Sequence, residues 1–182
     1  LVVLNARDAA NYGADVVTRC PVTHLERKDG LWHIDAGDRA FQSRAIINAA
    51  GPSVLQVLSH SPDKADYAMR LVRGSHIVVP KLFDHPYPYF FQLPDGRIFF
   101  AIPYEHDFTL IGTTDADHKS GLDHIEASKD EIAYLCEGAS HFFRTPVRSE
   151  DVVWSYSGVR PLVDDGSGKP EAATRGYRLD LS

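Results

Sequence analysis

Two arginines near the end of the sequence could bind an anion. Arg160 lies towards the end of the apolar stretch 152–162, and its planar guanidinium can donate two parallel hydrogen bonds to a multi-oxygen anion. Arg175 follows a glycine-containing loop that could fold back towards Arg160. Two cations in one cleft repel each other unless an anion lies between them, so their convergence would favour a dianion such as a phosphate. The alternative is two separate surface arginines, or an arginine held in a salt bridge at a strand end.

His76 and Thr113 are further candidates for chemistry. His76 follows a glycine and precedes the apolar residues 77–79, and a histidine whose pKa is near neutral can act as a general base in a pocket wall. Thr113 follows a hydrophobic strand, and its hydroxyl could bind a substrate oxygen. Each residue also has a structural interpretation. The histidine could simply be hydrogen-bonded at a strand start, and the threonine could end a strand and satisfy a turn.

Small residues near position 50 could bring the backbone close to a ligand. Residues 45–50 form a continuous apolar run, which is typical of a strand buried on both faces in a parallel sheet. Ligands of open α/β sheets bind at the carboxyl ends of such strands, so Ala49, Ala50 and Gly51 are candidates to line a cofactor. Val22 lies at another strand start, where its backbone could contact a flat ring system. Protein packing alone is the alternative at both places.

The first third of the sequence predicts a mixture of helices and strands. Apolar residues recur at helical spacing over residues 1–13. Asp29 and Gly30 predict a tight hairpin turn between two alternating stretches. Ser53 could cap the helix that follows a Gly-Pro break. The predicted elements are a helix at 1–13, strands at 15–19, 22–28, 31–35 and 45–50, and a helix at 54–60.

The remainder predicts an antiparallel sheet with one long helix. Successive strands with short turns, such as the Pro-Asp-Gly turn at 94–96, indicate antiparallel pairing. Ser128 and Glu131 form a capping-box pattern at the start of the helix. Because Pro161 cannot donate a ladder hydrogen bond, we expect pairing to weaken after Arg160. The predicted strands cover 69–71, 75–79, 89–93, 97–103, 108–112, 152–159 and 174–181, with the helix at 128–143 and loops at 121–127 and 163–173.

Composition excludes several classes of protein. The 182 residues are 43% hydrophobic and 24% charged, which is typical of a soluble globular protein. The net charge of −6 and the absence of a basic block argue against a nucleic-acid partner. Cys20 and Cys136 lie far apart in sequence, so neither a disulfide scaffold nor a metal site is expected. No apolar run approaches the roughly 20 residues that a membrane-spanning helix needs.

Several stretches together resemble the flavin-dependent glycerol-3-phosphate dehydrogenases. They are Leu-Asn-Ala-Arg-Asp-Ala-Ala, Asn-Ala-Ala-Gly-Pro, Gly-Ser-His-Ile-Val-Val-Pro, Phe-Thr-Leu-Ile-Gly-Thr-Thr-Asp, Val-Val-Trp-Ser-Tyr-Ser-Gly-Val-Arg-Pro-Leu and Ala-Ala-Thr-Arg-Gly-Tyr. The resemblance implies a mixed α/β and α+β fold. Part of a Rossmann-type FAD-binding domain would occupy residues 1–52. A mostly antiparallel substrate domain would occupy 53–177, and the chain would return to the first domain at 178–182.

The resemblance also implies an activity. A dehydrogenase of this family would oxidise sn-glycerol 3-phosphate to dihydroxyacetone phosphate, passing a hydride to FAD and electrons on to a quinone. His76 would be the base, Arg160 would serve both catalysis and substrate binding, and Arg175 would be a second substrate arginine. Val22 and the backbone of 49–51 would line FAD. The expected location is the cytoplasm, peripheral at the inner face of the cytoplasmic membrane, and a homodimer is compatible with the family.

The sequence departs from this family in ways that suggest a central segment of a longer protein. It contains no Gly-x-Gly-x-x-Gly fingerprint, no later Gly-Gly-Lys segment and no C-terminal helical domain, and it begins without Met. We therefore expect FAD in the full-length protein, and neither retained FAD nor turnover in this segment alone. Two other functions remain open at this point. One is an FAD-dependent amine or hydroxy-acid oxidase, for which a single arginine would suffice, and the other is a non-catalytic ligand-binding module.

Overall fold

The computed structural model describes residues 1–62, 68–94, 96–164, 168 and 176. The contacts within the chain divide it into two compact units, residues 1–65 and 66–182. Each unit has its own sheet, and each is described here by itself. The assignment of residues 1–52 to a flavin-binding domain stays a prediction, because a division by contacts does not assign a function to either part.

The first unit combines two short helices with a three-stranded antiparallel sheet. The turn between the first two strands has positive φ angles of 54° at Asp29 and 80° at Gly30, which confirms the predicted hairpin. Leu25, Trp32 and Ala36 are the buried apolar residues of this sheet. The elements are α1 (Val2–Asn11), β1 (Val22–Lys28), β2 (Leu31–Ala36), β3 (Arg39–Ser43), a 3-10 turn (Gly51–Ser53) and α2 (Val54–Leu58).

Several predictions for the first unit are wrong. Residues 15–19 and 45–50 form no strand, and no described strand pairs with them. A strand buried on both faces needs hydrogen-bonded neighbours, and without them Ile47 is 91% exposed. Ser53 makes no side-chain cap, because a 3-10 turn leads directly into α2. The sequence also missed β3, which has no buried residue and therefore no apolar alternation.

The second unit is built on a six-stranded sheet, and its antiparallel pairing confirms the prediction from the sequence. The strands are β4 (Met69–Pro80), β5 (Tyr89–Gln92), β6 (Ile98–Tyr104), β7 (Phe108–Gly112), β8 (Ala116–Asp117) and β9 (Trp154–Val163). The order across the sheet is β5-β6-β7-β4-β9. The short β8 also pairs with β4, beyond the end of β7, so β4 has three neighbours. The helix α3 (Lys129–Phe142) and a 3-10 turn (Ser149–Asp151) complete the unit.

The helix α3 covers one face of this sheet and forms the main core with it. The predicted capping box is confirmed: Ser128 accepts from the Glu131 backbone, and the Glu131 side chain accepts from the Ser128 backbone. Burial of an aliphatic or aromatic side chain contributes about 1.5–3 kcal/mol, so this cluster is the main source of stability here. Its buried members are Ile77, Val79, Phe99, Ala101, Ile111, Leu135, Cys136, Ala139 and Val147.

The two longest strands correct two further predictions. The separate strands expected at 69–71 and 75–79 are one continuous strand, because β9 pairs with β4 from Met69 to Val78 without a break. Pairing also continues past Pro161 to Val163. In the described sheet β9 pairs only with β4 and forms an edge, which is where a sheet tolerates proline. Of the strand expected at 174–181, only Gly176 is among the described residues, so that prediction is not tested.

Candidate functional site

Alternation along β4 separates two sets of polar residues onto opposite faces of the sheet. Ser75 and Ile77 point towards α3, whereas Gly74 and His76 belong to the other face. The register places Tyr156 directly beside His76 and Gly158 directly beside Gly74. We call this second side of the sheet the open face, because α3 does not cover it.

His76 lies in a row that crosses the open face. Its partners across the sheet are Gly112 in β7 and Tyr156 in β9. The imidazole stacks on the Tyr156 ring with a centroid distance of 4.9 Å and an interplanar angle of 4°. Within the described part of the chain, His76 Nδ1 is buried and has no hydrogen-bond partner. Burial, and secondly the charge of Arg160, lower the pKa of His76, so the ring is neutral near pH 7.

Arg160 approaches the open face from β9. Its Nη1 donates to Asp115 Oδ1 at 3.0 Å, and its Nη2 donates to Thr113 Oγ1 at 3.2 Å. The guanidinium lies over Gly74, on the strand that also carries His76. Arg160 is therefore salt-bridged, as the structural interpretation expected, and it is also an electrostatic neighbour of His76. The structure brings together three of the predicted site residues, His76, Arg160 and Thr113.

Asp115 is a member of this cluster that the sequence did not assign to it. Its carboxylate is 16% exposed and lies 3.0 Å from Arg160, which is 45 positions away in the chain. The contact depends on the pairing of β4 with both β7 and β9, so no local pattern could reveal it. The Thr-Thr-Asp sequence after β7 was the available signal, since its polar side chains follow directly after a buried strand.

A different network lies on the α3 side of the same strands. Glu131 accepts hydrogen bonds from Ser75 Oγ and Thr114 Oγ1, both at 2.8 Å, and its other oxygen accepts from Arg73 Nη2 at 2.5 Å. Burial raises the pKa of Glu131, but these hydrogen bonds and one from the Ser128 backbone outweigh it and lower the pKa to about 2. Every oxygen of this carboxylate is therefore satisfied, and the network fastens the start of α3 to β4 and the end of β7.

The predicted flavin-contacting residues belong to the first unit. A cleft of about 360 Å³ there is lined by Val22, Ala49 and Ala50, among other residues. Gly51, with a φ of 57°, follows at the start of the 3-10 turn and does not line the cleft. Asn48 Oδ1 accepts from the Ala50 backbone at 3.3 Å and holds this segment. Their roles towards FAD stay predictions, as do those of His76, Arg160 and Thr113.

Arg175 lies outside the described residues, so its expected convergence with Arg160 stays a prediction. Within the described residues, no group of three or more His, Cys, Asp or Glu side chains could hold a metal ion. Nor does that part of the chain contain a helix of the length and apolarity that a membrane crossing requires.

Comparison with known proteins identifies the family. A family model described as FAD dependent oxidoreductase matches residues 1–176. The chain belongs to this family. A crystal structure of the FAD-complexed glycerol-3-phosphate dehydrogenase from Bacillus halodurans is similar to this chain with a TM-score of 0.76 and 27% identity, covering 87% of this chain and 34% of that one. The mixed fold class predicted from the sequence is confirmed.

Two curated relatives match this chain along the whole of the sequence given. A glycerol-3-phosphate dehydrogenase from Pseudomonas aeruginosa is 42% identical, and a D-erythritol 1-phosphate dehydrogenase from Brucella abortus is 43% identical. The chain spans only 37% and 38% of their respective lengths. These matches confirm the resemblance drawn from the sequence motifs, and FAD is the cofactor that the family uses.

Proposed function

We propose that this chain is the substrate-binding segment of an FAD-dependent glycerol-3-phosphate dehydrogenase. The observation that carries the proposal is the placement of a neutral histidine and a fixed guanidinium on one face of one sheet. His76 and Arg160 interact electrostatically there, and Thr113 hydrogen-bonds to Arg160 beside them. The Pseudomonas relative, named for this activity and matched over the whole chain, supports the proposal.

Neutral His76 is suited to accept a proton from a substrate hydroxyl. A general base must be unprotonated at the working pH, and burial with a nearby cation lowers the pKa of His76 and so keeps its ring neutral. Arg160 carries a permanent charge that stabilises both a bound phosphate and the negative charge that develops on the substrate oxygen. Tyr156 supports the plane of the imidazole by stacking against it.

The residues of the first unit fit part of a flavin. The cleft at Val22, Ala49 and Ala50 is lined mainly by apolar and small side chains, which suits contact with a ring system or with the uncharged part of a dinucleotide. When bound, FAD supplies the acceptor for the hydride that leaves the substrate carbon. We further propose that FAD requires the full-length protein and that this segment alone neither retains it nor turns over substrate. The Gly-x-Gly-x-x-Gly phosphate-binding pattern is absent from its sequence.

A longer polyol phosphate is a second candidate substrate. The relative named D-erythritol 1-phosphate dehydrogenase is as similar to this chain as the glycerol-3-phosphate dehydrogenase is. Both named substrates carry a terminal phosphate and a secondary hydroxyl, so Arg160 and His76 would serve either in the same way. Arg175 is proposed as the second phosphate ligand. A quinone acceptor, peripheral association with the inner face of the cytoplasmic membrane and a homodimer are proposed from the family resemblance.

The proposal is tested by steady-state oxidation with the full-length, FAD-loaded protein. We expect glycerol 3-phosphate to be oxidised with a kcat/KM at least about 100-fold above that of glycerol, since the phosphate supplies binding energy that glycerol lacks. Arg160→Ala should raise KM for the phosphate ester roughly 30-fold, which corresponds to a loss of about 2 kcal/mol of binding free energy. Arg160→Lys should have a smaller effect. D-Erythritol 1-phosphate, glycine and lactate distinguish the other substrate classes.

The matched control is Arg148→Ala, because Arg148 is another arginine of the second unit with a side chain that is 69% exposed. It should leave both kinetic constants unchanged. Equal turnover of glycerol and its phosphate ester would contradict the proposal, as would a larger activity on glycine or lactate.

A further inference from the structure

Two glycines lie directly beneath the side chains of the open face. A Cβ atom at Gly74 would lie 2.5 Å from Arg160 Nη1, 2.6 Å from Arg160 Nη2 and 2.6 Å from Thr113 Oγ1. A Cβ atom at Gly112 would lie 2.6 Å from Cγ and 2.8 Å from Nε2 of His76. Carbon contacts of this length are strongly repulsive, so neither side chain could keep its place above an alanine.

A positive φ does not explain these glycines, because neither Gly74 nor Gly112 has one. Gly158 provides a useful contrast, because it pairs with Gly74 across β4 and β9 but has nothing within 4 Å of a built Cβ atom. The side chains above positions 74 and 112 therefore leave no room for a Cβ atom, whereas the space at 158 is open.

Each glycine sets the position of a different group. The imidazole of His76 lies over Gly112 on one side and stacks on Tyr156 on the other, so it has no space to retreat from an added methyl group without leaving that stack. The guanidinium of Arg160 lies against the backbone at Gly74, within reach of Asp115 and Thr113. It is the end of a long flexible side chain, so a methyl group there would displace it without disturbing the strand.

We propose that Gly112 and Gly74 are positioning residues. Because Gly112 has no side chain, the imidazole of His76 can lie where it acts as the base, and because Gly74 has none, the guanidinium of Arg160 can lie where it binds the substrate. This inference rests on the proposed function for the roles of the two side chains. The two glycines therefore have separate effects. The space at Gly112 determines where the proton acceptor lies, and the space at Gly74 determines where the anion binds.

The test measures kcat and KM for glycerol 3-phosphate in full-length, FAD-loaded Gly112→Ala, Gly74→Ala and Gly158→Ala. Gly112→Ala should lower kcat by about 100-fold with little change in KM, because a displacement of about 1 Å at a reacting group has that effect. Gly74→Ala should raise KM by about tenfold or more and lower kcat less. Gly158→Ala should change neither. If Gly112→Ala and Gly74→Ala behave like Gly158→Ala, the inference is wrong.

Double variants distinguish a displaced side chain from a general loss of stability. In a His76→Ala background the ring is gone, so Gly112→Ala should cause no further loss of kcat and no further drop in melting temperature. Gly74→Ala should raise the KM of Arg160→Ala by much less than it raises the KM of the unaltered enzyme, and what remains reflects its contact with Thr113. Full additivity in either pair would overturn the inference. If the unaltered enzyme does not oxidise glycerol 3-phosphate, the proposed function fails. The melting temperatures of the single and double variants at Gly112 and His76 still test whether Gly112 positions the imidazole.

Discussion

The two faces of the second unit's sheet differ in how fully one buried titratable group on each is hydrogen-bonded. On the α3 side, Glu131 is 8% exposed and accepts hydrogen bonds from serine, threonine and arginine partners. On the open face, His76 keeps a buried Nδ1 atom without a partner among the described residues. The same two strands, β4 and β9, contribute to both faces, so the difference does not come from different parts of the chain.

This difference supports the proposal that the α3 side is structural and that the open face binds substrate. A buried polar group that is fully hydrogen-bonded stabilises the fold, whereas an unpartnered one costs stability unless a ligand uses it. The pKa of Glu131 is lowered to about 2 by its donors, which fixes it as an anion. The pKa of His76 is lowered mainly by burial, which leaves its ring neutral and able to accept a proton.

The largest expected effect is on stability, and it concerns the α3 side of the sheet. Glu131→Ala should lower the free energy of unfolding by roughly 3–5 kcal/mol, because it leaves Arg73 without its buried carboxylate partner. Since the folded pKa of about 2 lies below the ordinary 4.5, the stabilisation by Glu131 is present above pH 4.5 and is lost as the pH falls towards 2. Denaturant unfolding across that pH range measures both effects. Glu137→Ala, on the exposed side of α3, is the control.

If Glu137→Ala destabilised the protein as much as Glu131→Ala, the stability of this face would come from the helix as a whole. The hydrogen-bonded network would then not be the cause, and the contrast between the two faces would weaken.

The next effect concerns the open face. His76→Ala in the full-length enzyme should lower kcat by at least about 100-fold, or about 3 kcal/mol, and should change KM little. In the unaltered enzyme, kcat/KM should fall as the pH drops through the lowered pKa of His76, below 6.5, because the protonated ring cannot accept a proton. Arg160→Gln removes one cause of that lowering, so the acidic limb of the pH profile should move to higher pH.

His124→Ala, which removes an exposed loop histidine, should leave the rate and its pH profile unchanged. A pH profile that stays in place after Arg160→Gln would show that Arg160 does not act on the group that titrates. A loss of affinity without a loss of kcat would remove His76 from the role of base.

The smallest effect on stability is expected for an ion pair that belongs neither to the Glu131 network nor to the cluster around Arg160. Arg70 donates to Asp117 from Nε at 2.7 Å and from Nη2 at 3.0 Å, and the Asp117 side chain is 39% exposed. Asp117→Asn should change the free energy of unfolding by less than about 1 kcal/mol, because water screens exposed pairs. A change comparable with that of Glu131→Ala, measured by the same denaturant titration, would show that exposure does not separate the two cases.

Sequence patterns predicted the elements that depend on local chemistry. The helix with its capping box at Ser128, the hairpin turn at Asp29 and the strand at Phe108–Gly112 all depend on residues within a few positions of one another. The run 45–50 shows the limit of such reasoning, because a strand exists only where another strand pairs with it. The continuous β4 was missed for the same reason, since β9 sustains its pairing through Gly74.

The site was predictable in its residue types and less so in its contacts. His76, Thr113 and Arg160 stand out by their position at strand ends or beside glycines, and the structure brings them together. Asp115 was not assigned because its partner lies 45 positions away and is reached only across the sheet. The space beneath His76 could not be predicted either, because it depends on the register that places Gly112 beside it.

The long pairing of β4 with β9 also determines which side chains share the open face. His76 pairs with Tyr156 and Val72 pairs with Arg160, so one register places both the proposed base and the proposed phosphate ligand on the open face. Inserting or deleting a single residue between these positions would turn the following side chains to the opposite face. New substrate ranges are therefore expected to arise through loops and through substitutions that keep strand length, and insertions within β4 or β9 should be rare among active variants.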